Sequence, residues 1–230
     1  MQVTVLADAE QVAQQAAAFL ARQARAAVVA RGRFLVAVSG GATPSRMLEL
    51  WSGEDVPWDC VHLFQVDERL VAAADPARNF SRLQVDLLDK VPIPRAQVHP
   101  MPVEEADPVG AAALYSAALQ ESAGSPPVLD LIHLGLGEDG HVASLVPEDP
   151  ALDETVAEVT VTGLYRGHRR MTLTFPVLNR ARCILWLVTG PTKVQALRRL
   201  LQGDSSLPGG RVNAAQAWLL TDVAQVGASA

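Results

Sequence analysis

The 230-residue chain has little cysteine, few aromatic residues, no long apolar run and no excess of basic charge. Each shortage excludes something. Cys60 and Cys183 stand alone, so they supply neither a disulfide framework nor a zinc site, and they read as two buried thiols in a reducing cytoplasm. No apolar stretch approaches the roughly 18 residues that a membrane-crossing helix needs, so no membrane partner is expected. Residues 1–10 lack a basic segment followed by an apolar one, so no secretory leader is expected. Lys and Arg total 19 against 25 for Asp and Glu, a net charge of -6, which argues against a nucleic-acid partner. No internal repeat is visible at a period of ~20–50 residues. What is present is a chain 49% hydrophobic and 19% charged, too apolar and too weakly charged for disorder. Its length allows burial of roughly 70% of the unfolded surface, and residues 1–230 are expected to form one domain.

Apolar spacing divides the chain into alternating strands and helices. Short β-branched, apolar runs at 33–38, 61–66, 129–134 and 183–188 read as strands buried on both faces. Weaker strand patterns lie at 1–7, near 97–99, at 156–161, 171–174 and 217–220, and residues 227–230 read as a frayed tail. Helices are predicted over 9–30 behind an Asp8 cap, over 79–88, over 107–121 behind Asp107-Pro108, and after Gly190-Pro191. Thr43 is expected to cap a helix over 44–51, with Pro44 in its first position. The alternation predicts an α/β fold with a mostly parallel sheet and helices on both faces, a three-layer sandwich. Ligands in such sheets sit at the carboxyl ends of the strands. Ser39–Thr43, Asp67–Arg69, Gly135–His141 and Gly190–Lys193 each follow a buried strand, and all four are expected to meet at one rim.

Their chemistry suits an anionic substrate. Gly40 and Gly41 let backbone N–H groups approach an anion where the next helix begins, although no Gly-Lys-Ser/Thr follows to make a P-loop. Ser39 lies one residue out of register with the nucleophile-elbow pattern, so a serine-esterase role is a minor alternative. Gly135-Leu136-Gly137-Glu138-Asp139-Gly140 has the spacing of a dinucleotide fingerprint, but its carboxylates would face a pyrophosphate. His141 beside Asp139 fits a general base, since an imidazole titrating near pH ~6.5 can take a proton from water and a carboxylate can orient it. Arg69 can clamp a phosphate, with Asp67 beside it, and Arg169, Arg170 and Lys193 are further basic candidates. His62 and His133 lie within strands, and His99 and His168 read as turn residues.

Residues 36–44, Asp67-Glu68-Arg69, Asn79, residues 134–145, Arg170-Met171-Thr172-Leu173-Thr174 and Gly190 with Lys193 together resemble the 6-phosphogluconolactonase family, in order and spacing across nearly the whole chain. The resemblance implies a Rossmann-like fold related to glucosamine-6-phosphate deaminase. It implies a carboxylic ester hydrolase that opens 6-phospho-D-glucono-1,5-lactone in the pentose phosphate pathway, with a small sugar-phosphate lactone as its partner. Carried over by position, His141 activates water with Asp139 or Asp67 nearby. Ser39, Gly40, Gly41, Thr43, Arg69, Asn79, Arg170 and Lys193 hold phosphate and sugar oxygens. No cofactor and no metal are implied, and a monomer or weak homo-oligomer is expected. Ala72 stands where the family often has Pro, and Val146 where it often has Phe. The related deaminases carry a carboxylate at the position of Val146, so their ring-opening chemistry is a secondary reading. A sugar-phosphate sensor of the same fold is another; it usually carries an appended DNA-binding helix pair, which does not precede the first strand here. The role of Arg78 is left open.

Overall fold

The computed structural model describes residues 1–224; the predicted tail at 227–230 lies outside them. The strands are β1 (Gln2–Val5), β2 (Phe34–Val38), β3 (Val61–Gln65), β4 (Asp67–Arg69), β5 (Val98–His99), β6 (Leu131–Leu134), β7 (Val159–Val161), β8 (Arg170–Leu173), β9 (Ile184–Val188) and β10 (Ala217–Thr221). The helices are α1 (Ala9–Arg31), α2 (Ala42–Trp51), α3 (Asn79–Asp86), α4 (Pro108–Ala123), α5 (Phe175–Arg180) and α6 (Val194–Leu201). Side-chain caps start α1 and α4 where the sequence predicts. The Asp8 carboxylate accepts from Gln11 N at 2.8 Å, and that of Asp107 from Val109 N at 3.1 Å.

A seven-stranded sheet runs in the order β1-β10-β9-β6-β2-β3-β5. Every pair in it is parallel, as the two-sided burial of β2, β6 and β9 requires. The period of two sends Phe34, Val36, Val38, Leu185 and Leu187 to one face, against α1 and α2. It sends Leu35, Ala37, Ile132, Leu134, Trp186 and Val188 to the other, against α4 and α6. Full burial of one such side chain is worth roughly 1.5–3 kcal/mol, so these two faces hold the sheet between its helical layers. Cys183 is buried, and burial pushes its thiol up to about 11; Cys60 is only partly buried, short of the expectation.

From β2 the chain winds outward through β3 to β5, then returns to β6 on the other side of β2 and continues to β9 and β10. That reversal between β2 and β6 is the topological switch point where doubly wound sheets bind ligands. A second, antiparallel sheet in the order β4-β8-β7 lies over this end. Residues 67–69 are thus a strand of their own, and not simply the polar end of β3. Helix α5 was not predicted: six residues with Pro176 among them present too short an apolar period.

Candidate active site

The loop from β2 into α2 forms one wall. Helix α2 begins at Ala42, capped by Gly41 with φ +127°, a backbone conformation that glycine tolerates and other residues resist. Thr43 is therefore not the cap. It sits in the first turn, and its Oγ1 is 2.9 Å from that of Thr189, past β9. Among the described residues no side chain caps α2, which leaves the N–H groups of its first turn and the positive end of its dipole without a side-chain partner. Ser39 behaves differently from the expectation. Its hydroxyl donates to the His133 carbonyl at 2.9 Å and its N–H to His133 Nδ1 at 3.3 Å. With its hydroxyl committed to backbone and no imidazole nitrogen activating it, Ser39 is neither a poised nucleophile nor a free phosphate ligand. His133 is fully buried, which lowers its imidazole to about 3 and keeps it neutral.

The small sheet forms the second wall. In the β4–β8 register Arg69 lies directly opposite Arg170, and Asp67 opposite Thr172. Residues opposite one another share a face, so Arg69 and Arg170 lie on one side of the small sheet with Asp67, and Arg170 feels the Asp67 carboxyl as well as the like charge of Arg69. Arg170 is buried, and among the described residues its Nε has no hydrogen-bond partner. Arg69 is steered by the Ala77 carbonyl and by Asn79 Oδ1 at 3.2 Å. Asn79 in turn donates to the Asp67 carbonyl at 3.1 Å, so both its amide groups are engaged with protein. Of the two acids expected near His141, Asp139 meets it and Asp67 does not. The Asp67 carboxylate instead accepts from Ser144 Oγ at 2.6 Å, and burial raises its carboxyl above the usual range against the opposing pull of Ser144 and Arg170.

Glu68, between them, is completely buried. Its oxygens accept from Arg69 N, Asn79 N, Phe80 N and Gln65 Nε2 at 2.7–2.9 Å, with Arg78 Nε at 3.5 Å. Arg78 also reaches Glu104 at 3.3 Å. Arg78 is thus a buried structural partner of Glu68.

The loop after β6 forms the third wall. His141 Nδ1 lies 2.6 Å from Asp139 Oδ1. A carboxylate accepts only, so Nδ1 carries a proton, and in the neutral imidazole the lone pair is left on Nε2. Partial burial alone would raise the Asp139 carboxyl, but the charge of His141 and hydrogen bonds from His141 and Tyr165 outweigh it and hold it below the usual range. Gly137 is required at this turn because a Cβ there would collide with the His141 ring and the Asp139 carboxylate. Tyr165 donates to Asp139 Oδ2 at 2.9 Å. Tyr165, Arg166, Thr189 and Ser144 were missed from sequence. The one signal for the first two was a glycine at 167 between two strand patterns, too little by itself to mark a hairpin turn.

The three walls enclose a cavity of about 430 Å³. Gly40, Gly41, Thr43, Asp67, Arg69, Asn79, His141, Arg170 and Lys193 line it, together with Ser39, His133 and Arg166. All four polar segments predicted to converge contribute to it. Asp139 reaches it through His141. Among the described residues, no helix is long and apolar enough to cross a membrane.

A family profile described as glucosamine-6-phosphate isomerases/6-phosphogluconolactonase matches residues 7–221. A 6-phosphogluconolactonase of Synechocystis is 40% identical over 209 residues, 89% of this chain and 86% of that one. One of Mycobacterium tuberculosis is 39% identical over 189 residues, 77% of this chain and 76% of that one. The crystal structure of 6-phosphogluconolactonase from Thermotoga maritima superposes with a TM-score of 0.86 at 26% identity, covering 96% and 98% of the two chains. A monomeric glucosamine-6-phosphate deaminase shares the fold at a TM-score of 0.85 and 16% identity, over 100% of both chains. The chain is a hydrolase of the glucosamine-6-phosphate isomerase/6-phosphogluconolactonase family.

Proposed function

We propose that the chain hydrolyses 6-phospho-D-glucono-1,5-lactone to 6-phospho-D-gluconate, with His141 as general base. The observation that carries the reading is the juxtaposition of Arg69 and Arg170 across β4 and β8, in the same cavity as the Asp139–His141 pair. A dianionic phosphate can accept charge-assisted hydrogen bonds from both guanidinium groups. Lys193 and the uncapped start of α2 add positive potential at the same place.

His141 Nε2 accepts a proton from a water molecule as its oxygen attacks C1 of the lactone. The carbonyl electrons move to oxygen, and the cationic side chains lining the cavity favour that developing charge. The intermediate then expels the ring oxygen, which takes the proton from the imidazolium. The ester bond is broken, one water is consumed, and the new acid ionises to the product carboxylate. Asp139 favours the transient imidazolium and fixes the tautomer.

Deaminase or isomerase chemistry is disfavoured because Val146, where those relatives carry a carboxylate, is apolar and buried. A serine-esterase route is disfavoured by the hydrogen bonding of Ser39. The test is a lactonase assay with the lactone made in situ from glucose 6-phosphate. The purified chain should accelerate its loss and yield one 6-phosphogluconate per lactone. Loss no faster than spontaneous hydrolysis would sink the reading.

A further inference from the structure

The hairpin joining β7 to β8 reaches over the cavity. Tyr165 N donates to the His168 carbonyl at 3.0 Å and His168 N to the Tyr165 carbonyl at 3.1 Å, closing a turn of Arg166 and Gly167. Both turn residues have positive φ, +49° and +82°, as the right-handed twist of a two-residue hairpin demands. An arginine in that conformation is strained. Strain of this kind persists where surrounding contacts over-determine it, and here those contacts converge on Tyr165. The Arg166 and Arg170 guanidinium groups lie 5.2 and 5.3 Å from the centre of its ring. The ring meets that of His141 edge-on, with centroids 5.6 Å apart. Its hydroxyl donates to Asp139.

We propose that Tyr165 is a positioning residue for the Asp139–His141 pair, acting through the carboxylate and not on the substrate; the proposal rests on the reading of His141 as the base. Asp139 is about one-third exposed, and its terminal torsion is intrinsically broad. Holding Oδ2 keeps Oδ1 on His141 Nδ1, and so keeps Nε2 facing its task. Burial and then the hydrogen bond to Asp139 raise the phenol above its usual range, so it stays a donor wherever the enzyme works. The O–H also draws charge from the carboxylate and moderates its pull on the imidazolium. The other charged groups facing the pair across the cavity are Arg166 on the hairpin, Arg170 on β8, Asp67 and Arg69 on β4, and Lys193 beyond β9.

Tyr165→Phe keeps the ring and its guanidinium contacts and removes only the hydroxyl. The expected result is a fall in kcat of about tenfold, the worth of one hydrogen bond to a charged group, with KM within about twofold. The acid limb of the kcat/KM profile should move up by about half a pH unit, because an unmoderated carboxylate favours the imidazolium. In an Asp139→Asn background the same change should have no further effect. An unchanged kcat and acid limb would overturn the proposal, as would a rise in KM at constant kcat, or an undiminished loss in the Asp139→Asn background. His141→Asn, measured in parallel, separates the two levels. If it is inactive while Tyr165→Phe is silent, only the positioning role fails; if it keeps activity, the base assignment fails and the positioning role with it.

Discussion

Two acidic segments border the cavity, Asp67-Glu68-Arg69 and Glu138-Asp139-Gly140-His141, and they do opposite work. In the first, Glu68 has no exposure, and four N–H donors and Arg78 surround its carboxylate. It ties the start of α3 to β4 and so fixes Asn79 and Arg69. In the second, Asp139 is about one-third exposed and His141 about one-fifth, on a loop tied by short backbone hydrogen bonds such as Gly137 N to the His141 carbonyl at 2.9 Å. One segment is scaffold holding a cation in place; the other leaves a base free to meet solvent and substrate. Charge and position after a buried strand look alike in both, and burial tells them apart.

Changes on either side should therefore fail differently. The largest effect is expected for His141→Asn: a loss of about 10²–10⁴-fold in kcat with an unaltered melting temperature. A loss of folding in this variant would mean that the second segment is scaffold too. Glu68→Ala should act on stability, by about 3–5 kcal/mol, because it removes the buried carboxylate facing Arg78 Nε and leaves several backbone donors unpaired. Calorimetry should then record a drop on the order of 10 °C; a stable protein with impaired kcat would reverse the assignment. Arg69→Met should lower kcat/KM for the phosphorylated lactone by about 10–100-fold, through KM more than kcat. An effect on kcat alone would move Arg69 from binding to chemistry.

A comparable effect is expected on the pH dependence of stability, centred on His133. Its folded value is about 3, below an unfolded value of about 6.5. Below pH ~6.5 the unfolded chain takes up a proton that the native state refuses. The stability contributed by keeping His133 neutral is thus complete above pH ~6.5 and is lost as pH falls toward 3, by at most about 1.4 kcal/mol per unit. His133→Leu should lower the baseline, since Ser39 N loses its acceptor, but flatten that slope. Urea midpoints between pH 7 and 4.5 decide it; parallel declines in both proteins would contradict a neutral, buried imidazole.

Much of this was legible without coordinates. β2, β3, β6 and β9 announced themselves as apolar runs, and the polar segments after them lie at the rim where a parallel sheet must place them. The pairing of Asp139 with His141 follows from a two-residue separation on a tight loop. The illegible features depend on contacts distant in sequence. Nothing in residues 67–69 says that Asp67 will meet Ser144, that Glu68 will be enclosed, or that Arg69 will stand beside Arg170. The Thr43 cap failed because Gly41 could adopt a conformation closed to threonine and begin the helix sooner. The Tyr165 hairpin was hidden because an arginine occupies a turn position that normally advertises itself with asparagine, aspartate or glycine.

The central claim is that the opposed arginines build a phosphate site next to a water-activating base. It is tested most directly by comparing kcat/KM for 6-phosphogluconolactone with that for unphosphorylated gluconolactone on the unaltered protein. A preference of about 100-fold or more for the phosphorylated lactone is predicted, the worth of about two charge-assisted hydrogen bonds. Equal values for the two lactones would contradict it.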